Sequence, residues 1–157
     1  MKDKSFTIEE IKRKMERYCV YQDRCHHEVE QKLRNFRLIP VAKEEILLHL
    51  MQHDFLNEER FAKSFARGKF NIKNYGRVRI SLELKRRNIS EYNIKSALKE
   101  IDENLYLETF DKISRKRNEQ IKESNLYKRK KKLTDYLLRK GYETNLVYEK
   151  VNELITT

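Results

Sequence analysis

The side chains best suited to chemistry in this sequence are cations gathered in its middle third. Residues 55–101 hold 12 lysines and arginines against 5 acidic residues, a net charge of +7 out of the +11 of the whole chain. Arg60, Lys63 and Arg67 recur at i, i+3 and i+7, a spacing that places them on one face of a helix. The other basic residues that we assign to the same surface are Lys69, Lys73, Arg77, Arg79, Arg86 and Arg87.

A local excess of cations can bind a polyanion or an acidic protein surface. Arginine predominates in this group, and its planar guanidinium matches carboxylates and phosphates better than an ammonium does. The alternative is a solvated helix face. That alternative explains the net charge but accounts less well for its concentration in one third of the chain, so we predict a binding surface.

A second group of cations is the run Lys128, Arg129, Lys130, Lys131 and Lys132. Five consecutive residues of a helix point in all directions, so some of these side chains must be solvated or must face a partner. They could contact DNA phosphates in a non-specific, salt-sensitive way. They could equally serve solubility alone, and the sequence leaves both interpretations open.

Two aromatic residues, Phe70 and Tyr75, lie beside the central cations and could stack on nucleic-acid bases. Aromatic side chains at helical spacing more often pack against other helices. We therefore interpret both rings as packing residues.

Residues that could bind metal are few and poorly spaced. His49 and His53 are i, i+4 on one predicted helix, and Cys19, Cys25, His26 and His27 form a second loose group. Neither group supplies four ligands at a spacing typical of zinc sites. The chain also has no glycine-rich phosphate loop, nucleophile elbow or zinc-binding helix motif, so we predict no enzyme, no metal and no cofactor.

The elements that must position the cations are helices. Only three glycines and one proline occur in 157 residues, while lysine, glutamate, leucine and arginine are abundant, a composition that favours helix. The segment Arg77–Lys85 alternates polar and apolar residues and could be a strand. A single strand here would have no partner, so we predict a helix that is apolar on two sides and sandwiched between two others.

An internal repeat organises these helices. Five pairs of apolar residues are 53 positions apart: Ile80/Leu133, Leu84/Leu137, Ile94/Val147, Leu98/Val151 and Ile101/Leu154. The sequence therefore predicts an all-α protein of three tandem three-helix repeats, 1–54, 55–101 and 102–157, stacked in an elongated, curved array. Two cysteines, no apolar signal core and no run of about 18 apolar residues predict a cytoplasmic location.

The central motif Asp54-Phe55-Leu56-Asn57-Glu58-Glu59-Arg60-Phe61-Ala62, with Phe65, Tyr75-Gly76-Arg77-Val78-Arg79-Ile80, Glu83-Leu84 and Arg87-Asn88-Ile89-Ser90, resembles the RecX family of bacterial regulators of the RecA recombinase. Asn88 stands where that family usually has glycine, and asparagine tolerates the same left-handed helix end. The resemblance implies a helical-repeat protein that binds in the groove of the RecA–DNA filament, lowers recombinase activity and performs no catalysis.

The functional hypothesis from the sequence is thus a non-enzymatic regulator whose basic face binds the RecA–DNA filament and inhibits the recombinase, ATPase and coprotease activities of RecA. Single- or double-stranded DNA would be contacted weakly or through the filament, and the processes concerned would be DNA recombination, DNA repair and the SOS response. Two alternatives remain open. One is a helix-turn-helix-like protein that binds nucleic acid directly, and the other is a helical scaffold for a protein partner.

Overall fold

The computed structural model of this chain describes residues 5–156. Residues 1–4 and 157, which the sequence assigned to the first and third repeats, lie outside that range. Within it the chain is helical, with no strand, and the predicted all-α class is confirmed. The helices are α1 Ile8–Tyr21, α2 His26–Leu33 followed by a 3₁₀ turn Arg34–Phe36, α3 Pro40–Gln52, α4 Glu58–Lys73, α5 Arg77–Arg86, α6 Glu91–Leu98, α7 Glu103–Gln120, α8 Leu126–Lys140 and α9 Thr144–Leu154.

Side-chain caps set where most of these helices begin. The side chain of Asn57 accepts a hydrogen bond from the Arg60 amide at 2.9 Å, as its position before α4 predicts. Ser124 and Asn125 both precede α8, and either side chain could cap it. The cap is Asn125, whose side-chain oxygen accepts from the Lys128 amide at 3.0 Å.

Residues with positive φ end several helices. Gly141 closes α8 at φ 100°, where a glycine is expected. Asn88 follows α5 at φ 60°, which confirms that asparagine takes the left-handed position that glycine usually holds in the similar family.

The segment with the ambiguous alternating pattern is the helix α5. Ile80 and Leu84 on one side are fully buried. The prediction that α5 is sandwiched on both sides was wrong, because Val78 and Leu82 on the other side remain 44% and 48% exposed. One apolar face of α5 therefore packs in the core while the second is uncovered in the part of the chain that the structure describes.

Two hydrophobic cores hold the described helices together. The first lies among α1, α2 and α3 and extends to Leu56. The second is continuous through α4 to α9, and it also takes in Cys25 from the first repeat. Central and third repeats therefore complete one core between them, which supports the predicted stacking of tandem three-helix units. The exact boundaries at 54/55 and 101/102 stay a prediction.

The start of α5 meets the end of α8 directly. The amide of Gly76 donates to the carbonyl oxygen of Lys140 at 2.8 Å, and the amide of Val78 donates to that of Gly141 at 2.9 Å. Free amides at one helix start thereby satisfy free carbonyls at another helix end, and the positive end of one dipole faces the negative end of the other. This contact fixes the central repeat against the third.

Candidate functional site

Arg60, the first of the three cations that were predicted to share one face of a helix, is held by acidic groups of the chain itself. Its Nε donates to Asp23 at 2.8 Å, its Nη1 to the carboxylate of Asp54 at 2.9 Å and its Nη2 to the Asp54 carbonyl at 2.9 Å. The hydrogen bond that Arg60 donates to Asp23, together with the charges of both carboxylates, raises the pKa of Arg60. Arg60 thus joins the first repeat to the central one, and its guanidinium has little capacity left for a ligand.

Lys63 and Arg67 are also paired, but at the surface. Glu100 lies 3.7 Å from each of them, and Glu59 lies 3.1 Å from Lys63. Lys63, Arg67 and Glu59 line an open groove on α4 together with Asn57 and Arg60, so three cations and one acid face this groove. Exposed ion pairs of this kind are weak, so Lys63 and Arg67 can exchange their acidic partners for those of a ligand. Neither of them is an unpaired charge, however.

Arg77 lies at the junction between the central and third repeats. It contacts Glu103 at 2.9 Å and Glu143 at 3.3 Å, and its guanidinium lies 3.9 Å from the ring centre of Tyr106. The hydroxyl of Tyr106 donates to Glu143 at 2.7 Å and accepts from the Arg77 amide at 3.1 Å. Burial, first of all, raises the pKa of Tyr106. Arg77 therefore stabilises the junction.

Lys69 of α4, Arg79 of α5 and Lys140 of α8 gather around the ring of Tyr75. Arg79 lies 3.8 Å, Lys140 5.6 Å and Lys69 5.9 Å from the ring centre. Arg79 approaches one acid, Glu83, at 3.4 Å. The other members have no acidic partner among the described residues. We call Lys69, Lys73, Arg79 and Lys140 the Tyr75 cluster.

Like charges are held close together in the Tyr75 cluster. The Lys140 ammonium donates to the Lys73 carbonyl at 3.0 Å. Burial, followed by the charges of Arg79 and Lys73, lowers the pKa of Lys140. An anion bound here would relieve that repulsion, which makes the cluster an attractive position for a phosphate or carboxylate.

The basic surface continues from the Tyr75 cluster onto the third repeat. Lys140 also lies 5.9 Å from the ring centre of Tyr136, and Arg117 covers the same ring at 4.6 Å. An open groove between α7 and α8 follows, with Asp135 as its one acidic lining residue. Its cations are Arg117, Lys122, Lys132 and Arg139. Together with the Tyr75 cluster these four residues form what we call the basic strip.

The sequence-based site list overlaps the basic strip only in part. Lys69, Lys73, Arg79 and Lys132 were in it. Lys140, Arg139, Arg117 and Lys122 were missed, because they are distant in sequence from the central segment and only the α5–α8 contact brings the first of them to Tyr75. The one sequence signal for these residues was Gly141, which marks the end of α8 and could have indicated that Lys140 lies close to another helix.

The last two predicted cations of the central segment, Arg86 at the end of α5 and Arg87 just after it, behave differently from each other. Arg87 donates to the Glu83 carbonyl at 2.9 Å and covers the ring of Phe65 at 4.7 Å. Arg86 is exposed and has no ion pair in the described part of the chain, like its neighbour Lys85. Arg87 therefore packs, whereas Arg86 is free to meet a partner.

The run of five cations at the start of α8 contains one residue with a structural role. Arg129 binds the end of α7, donating to the carbonyl oxygens of Asn118 at 2.6 Å and Ile121 at 2.8 Å. Lys132 lies 3.7 Å from Glu123. Lys128, Lys130 and Lys131 have no ion pair within residues 5–156, so the possibility of phosphate contact remains for these three.

The rings next to the cations pack as predicted. Phe70 is buried, with its ring centre 5.8 Å from that of Tyr106. Tyr75 is half-buried beneath the cations. Its ring orients Arg79 and Lys140 through cation–π contacts rather than offering a free face to a base.

No group of three or more metal-binding side chains occurs in residues 5–156. The rings of His49 and His53 lie 4.4 Å apart. Burial raises the pKa of the Cys19 and Cys25 thiols to about 11. None of the described helices has the length and apolar character needed to cross a membrane.

Comparison with protein families gives two matches to one family. The model described as RecX, second three-helix domain, matches residues 57–98, and the model of the RecX third three-helix domain matches residues 104–151. Together they cover more than half of the chain. The matched segments correspond to α4–α6 and α7–α9, the helices that share the second core.

Similar proteins and structures carry the same family name. The chain is 26% identical over 137 residues to the regulatory protein RecX of Bacillus cytotoxicus and 24% identical to that of Bacillus cereus, with 87% of this chain and 51% of each relative covered. It therefore spans about half the length of these curated relatives. The crystal structure of RecX from Lactobacillus salivarius superposes with a TM-score of 0.80 at 25% identity, covering 94% of this chain and 96% of that one. A second crystal structure, of a regulatory protein RecX, has a TM-score of 0.79 at 23% identity, covering 93% and 73%, and supports the fold alone.

Proposed function

Because this chain belongs to the RecX family of regulatory proteins, we propose that it is a non-enzymatic regulator that binds the RecA–DNA filament in the cytoplasm and lowers its recombinase activity. The basic strip is the surface that contacts the filament in this proposal. The observation that best supports the proposal is the Tyr75 cluster, in which four cations from two repeats lie close together with one acidic neighbour.

The strip suits a filament groove because such a groove presents phosphates and acidic side chains side by side. Cations that already repel one another gain more from a bound anion than cations that are neutralised within the chain. Arg79 and Lys140 are also oriented in advance by the rings of Tyr75 and Tyr136, which reduces the side-chain entropy lost on binding.

Occupancy is the mechanism that follows from this arrangement. A chain bound along the groove would contact several protomers or their DNA at once and obstruct strand exchange and the cleavage of repressor substrates. Each phosphate neutralised by the strip adds about −0.9 to the slope of log affinity against log salt concentration for duplex DNA. Filament binding through the cations of the basic strip should therefore weaken steeply as salt rises.

The test measures the ATPase and strand-exchange activity of the host's RecA with wild-type protein and with Lys69→Glu/Lys73→Glu/Lys140→Glu. We expect the wild type to inhibit and the triple variant to lose at least tenfold in potency. The matched control is Lys95→Glu/Lys99→Glu/Lys112→Glu, which reverses three exposed lysines outside the strip and changes the net charge equally.

Two results would count against this proposal. A wild-type protein without effect on RecA activity would refute it. Equal affinity for naked DNA and for the filament, with the same salt dependence, would favour the alternative of a direct nucleic-acid-binding protein of helix-turn-helix type.

A further inference from the structure

The uncovered apolar face of α5 is a surface that the basic strip does not use. Val78 and Leu82 are i, i+4 neighbours, 44% and 48% exposed, whereas Ile80 and Leu84 on the opposite face are fully buried. An adjacent pair of branched aliphatic side chains forms a continuous ridge along a helix. The core of this protein does not need that ridge, because α5 is already anchored by its buried face.

Unpaired cations lie one turn beyond this ridge. Lys85 and Arg86 are exposed and have no ion pair in the part of the chain that the structure describes. The acid of α5, Glu83, is engaged by the Arg79 guanidinium at 3.4 Å. The outer face of α5 thus runs from apolar at Val78 and Leu82 to cationic at Lys85 and Arg86.

An outer face with an apolar half and a cationic half fits a protein partner rather than a nucleic acid. Aliphatic side chains neither donate hydrogen bonds to phosphates nor accept them from bases, so the apolar half of the face would make no specific contact with DNA. An amphipathic helix that carries apolar residues at i, i+4 and acidic residues one turn away would bury the ridge and neutralise the cations together.

We propose that the outer face of α5, formed by Val78, Leu82, Lys85 and Arg86, docks an acidic amphipathic helix of the recombinase that this protein regulates. The inference rests on the proposed function and assigns it a second contact, separate from the basic strip. Two aliphatic anchors make a small interface, which gains strength because the strip holds the partner nearby and raises its effective concentration.

The test compares binding to host RecA filaments assembled on single-stranded DNA with binding to the same DNA without RecA. Val78→Gln/Leu82→Gln should weaken filament binding about tenfold and leave naked DNA binding unchanged. The matched control, Val20→Gln/Val41→Gln, removes two exposed valines of the first repeat and should change neither. Lys85→Glu/Arg86→Glu should also weaken filament binding. Thermal unfolding of each variant verifies that it is folded.

A photo-cross-linker at position 82 identifies the occupant. Leu82→p-benzoylphenylalanine should cross-link to the RecA polypeptide within the filament. Cross-linking to DNA alone, or full filament affinity of the Val78→Gln/Leu82→Gln variant, would overturn the docking inference while the proposed function stands. A wild-type protein that does not bind the filament would overturn both, and the Lys69→Glu/Lys73→Glu/Lys140→Glu variant separates loss of the strip from loss of the α5 face.

Discussion

Gly76 and Gly141 touch through their backbones at the junction of α5 and α8. A Cβ built on Gly76 would lie 2.6 Å from the amide nitrogen of Tyr142 and closer still to the Gly141 carbonyl. Backbone atoms of two helix ends therefore occupy the space that any side chain at position 76 would need. This close approach is what allows the amides of α5 to reach the carbonyls of α8.

Replacing Gly76 should separate these helix ends. We expect Gly76→Ala to lower the free energy of unfolding by about 1–3 kcal/mol, because the backbone must shift to admit the methyl group. Chemical denaturation measures this change. Gly68 is the matched control, since a Cβ there meets nothing within 4 Å and the residue lies inside α4. Gly68→Ala should stabilise the protein by about 0.5–1 kcal/mol, and equal effects at both positions would contradict the steric account.

Removing the Arg60 side chain should destabilise the protein more than removing a cation of the basic strip. Arg60→Met loses hydrogen bonds to two carboxylates and two backbone carbonyls, and we expect a loss of about 1–2 kcal/mol in the free energy of unfolding. Lys69→Met, which breaks no ion pair among the described residues, should change stability by less than about 0.5 kcal/mol.

A double-mutant cycle isolates the contact between the first two repeats. Arg60→Met and Asp23→Ala should be non-additive, since the two residues share a 2.8 Å hydrogen bond. Full additivity would mean that this contact does not couple the repeats.

Arg129 should differ from its basic neighbours in stability. Arg129→Met removes the donors that satisfy the last carbonyls of α7, and we expect a loss of about 1–2 kcal/mol. Lys131→Met should have an effect below about 0.5 kcal/mol. Denaturant titration of both variants checks this, and similar values for the two would show that the run acts only through its charge.

The buried thiols should make stability fall at alkaline pH. Burial raises the pKa of Cys19 and Cys25 to about 11, whereas an unfolded cysteine ionises near pH 8.5, at about its ordinary value. Between these values the unfolded chain has released protons that the folded chain retains. Raising the pH therefore favours unfolding, by up to about 1.4 kcal/mol per pH unit and per thiol.

Urea denaturation between pH 7 and pH 10.5 measures the alkaline effect of the thiols. The wild type should lose stability more steeply above pH 8.5 than Cys19→Ala/Cys25→Ala, although the double variant starts from a lower value because of the lost packing. Parallel curves for the two proteins would assign the alkaline loss to other groups.

Features that depend on local or periodic patterns were predictable from the sequence. The cap at Asn57, the glycine end at Gly141 and the asparagine end at Asn88 each follow from one residue and its immediate neighbours. The 53-residue spacing located core positions correctly, since Ile80, Leu84, Leu133 and Leu137 are all fully buried. A repeat preserves the positions that pack.

The site was less predictable because charge pairing is a tertiary property. Arg60 and Asp23 are 37 residues apart, and nothing in their local sequence indicates that they meet. Lys140 reaches Tyr75 only through the α5–α8 contact. The exposure of the second apolar face of α5 could not be predicted for the same reason, because burial of a helix face is also a tertiary property. Helical periodicity identifies apolar faces but does not say which of them the fold covers.

The junction between α5 and α8 also has a consequence for biosynthesis. The hydroxyl of Tyr142 donates to the Asn74 carbonyl, 68 residues earlier in the chain. The amides of Gly76 and Val78 at the start of α5 likewise lack their carbonyl acceptors until Lys140 and Gly141 have been translated. A nascent chain that has just left the ribosome with its central repeat must therefore wait, with aliphatic surface exposed, until the third repeat emerges. During that interval we expect the exposed aliphatic surface of the central repeat to favour aggregation.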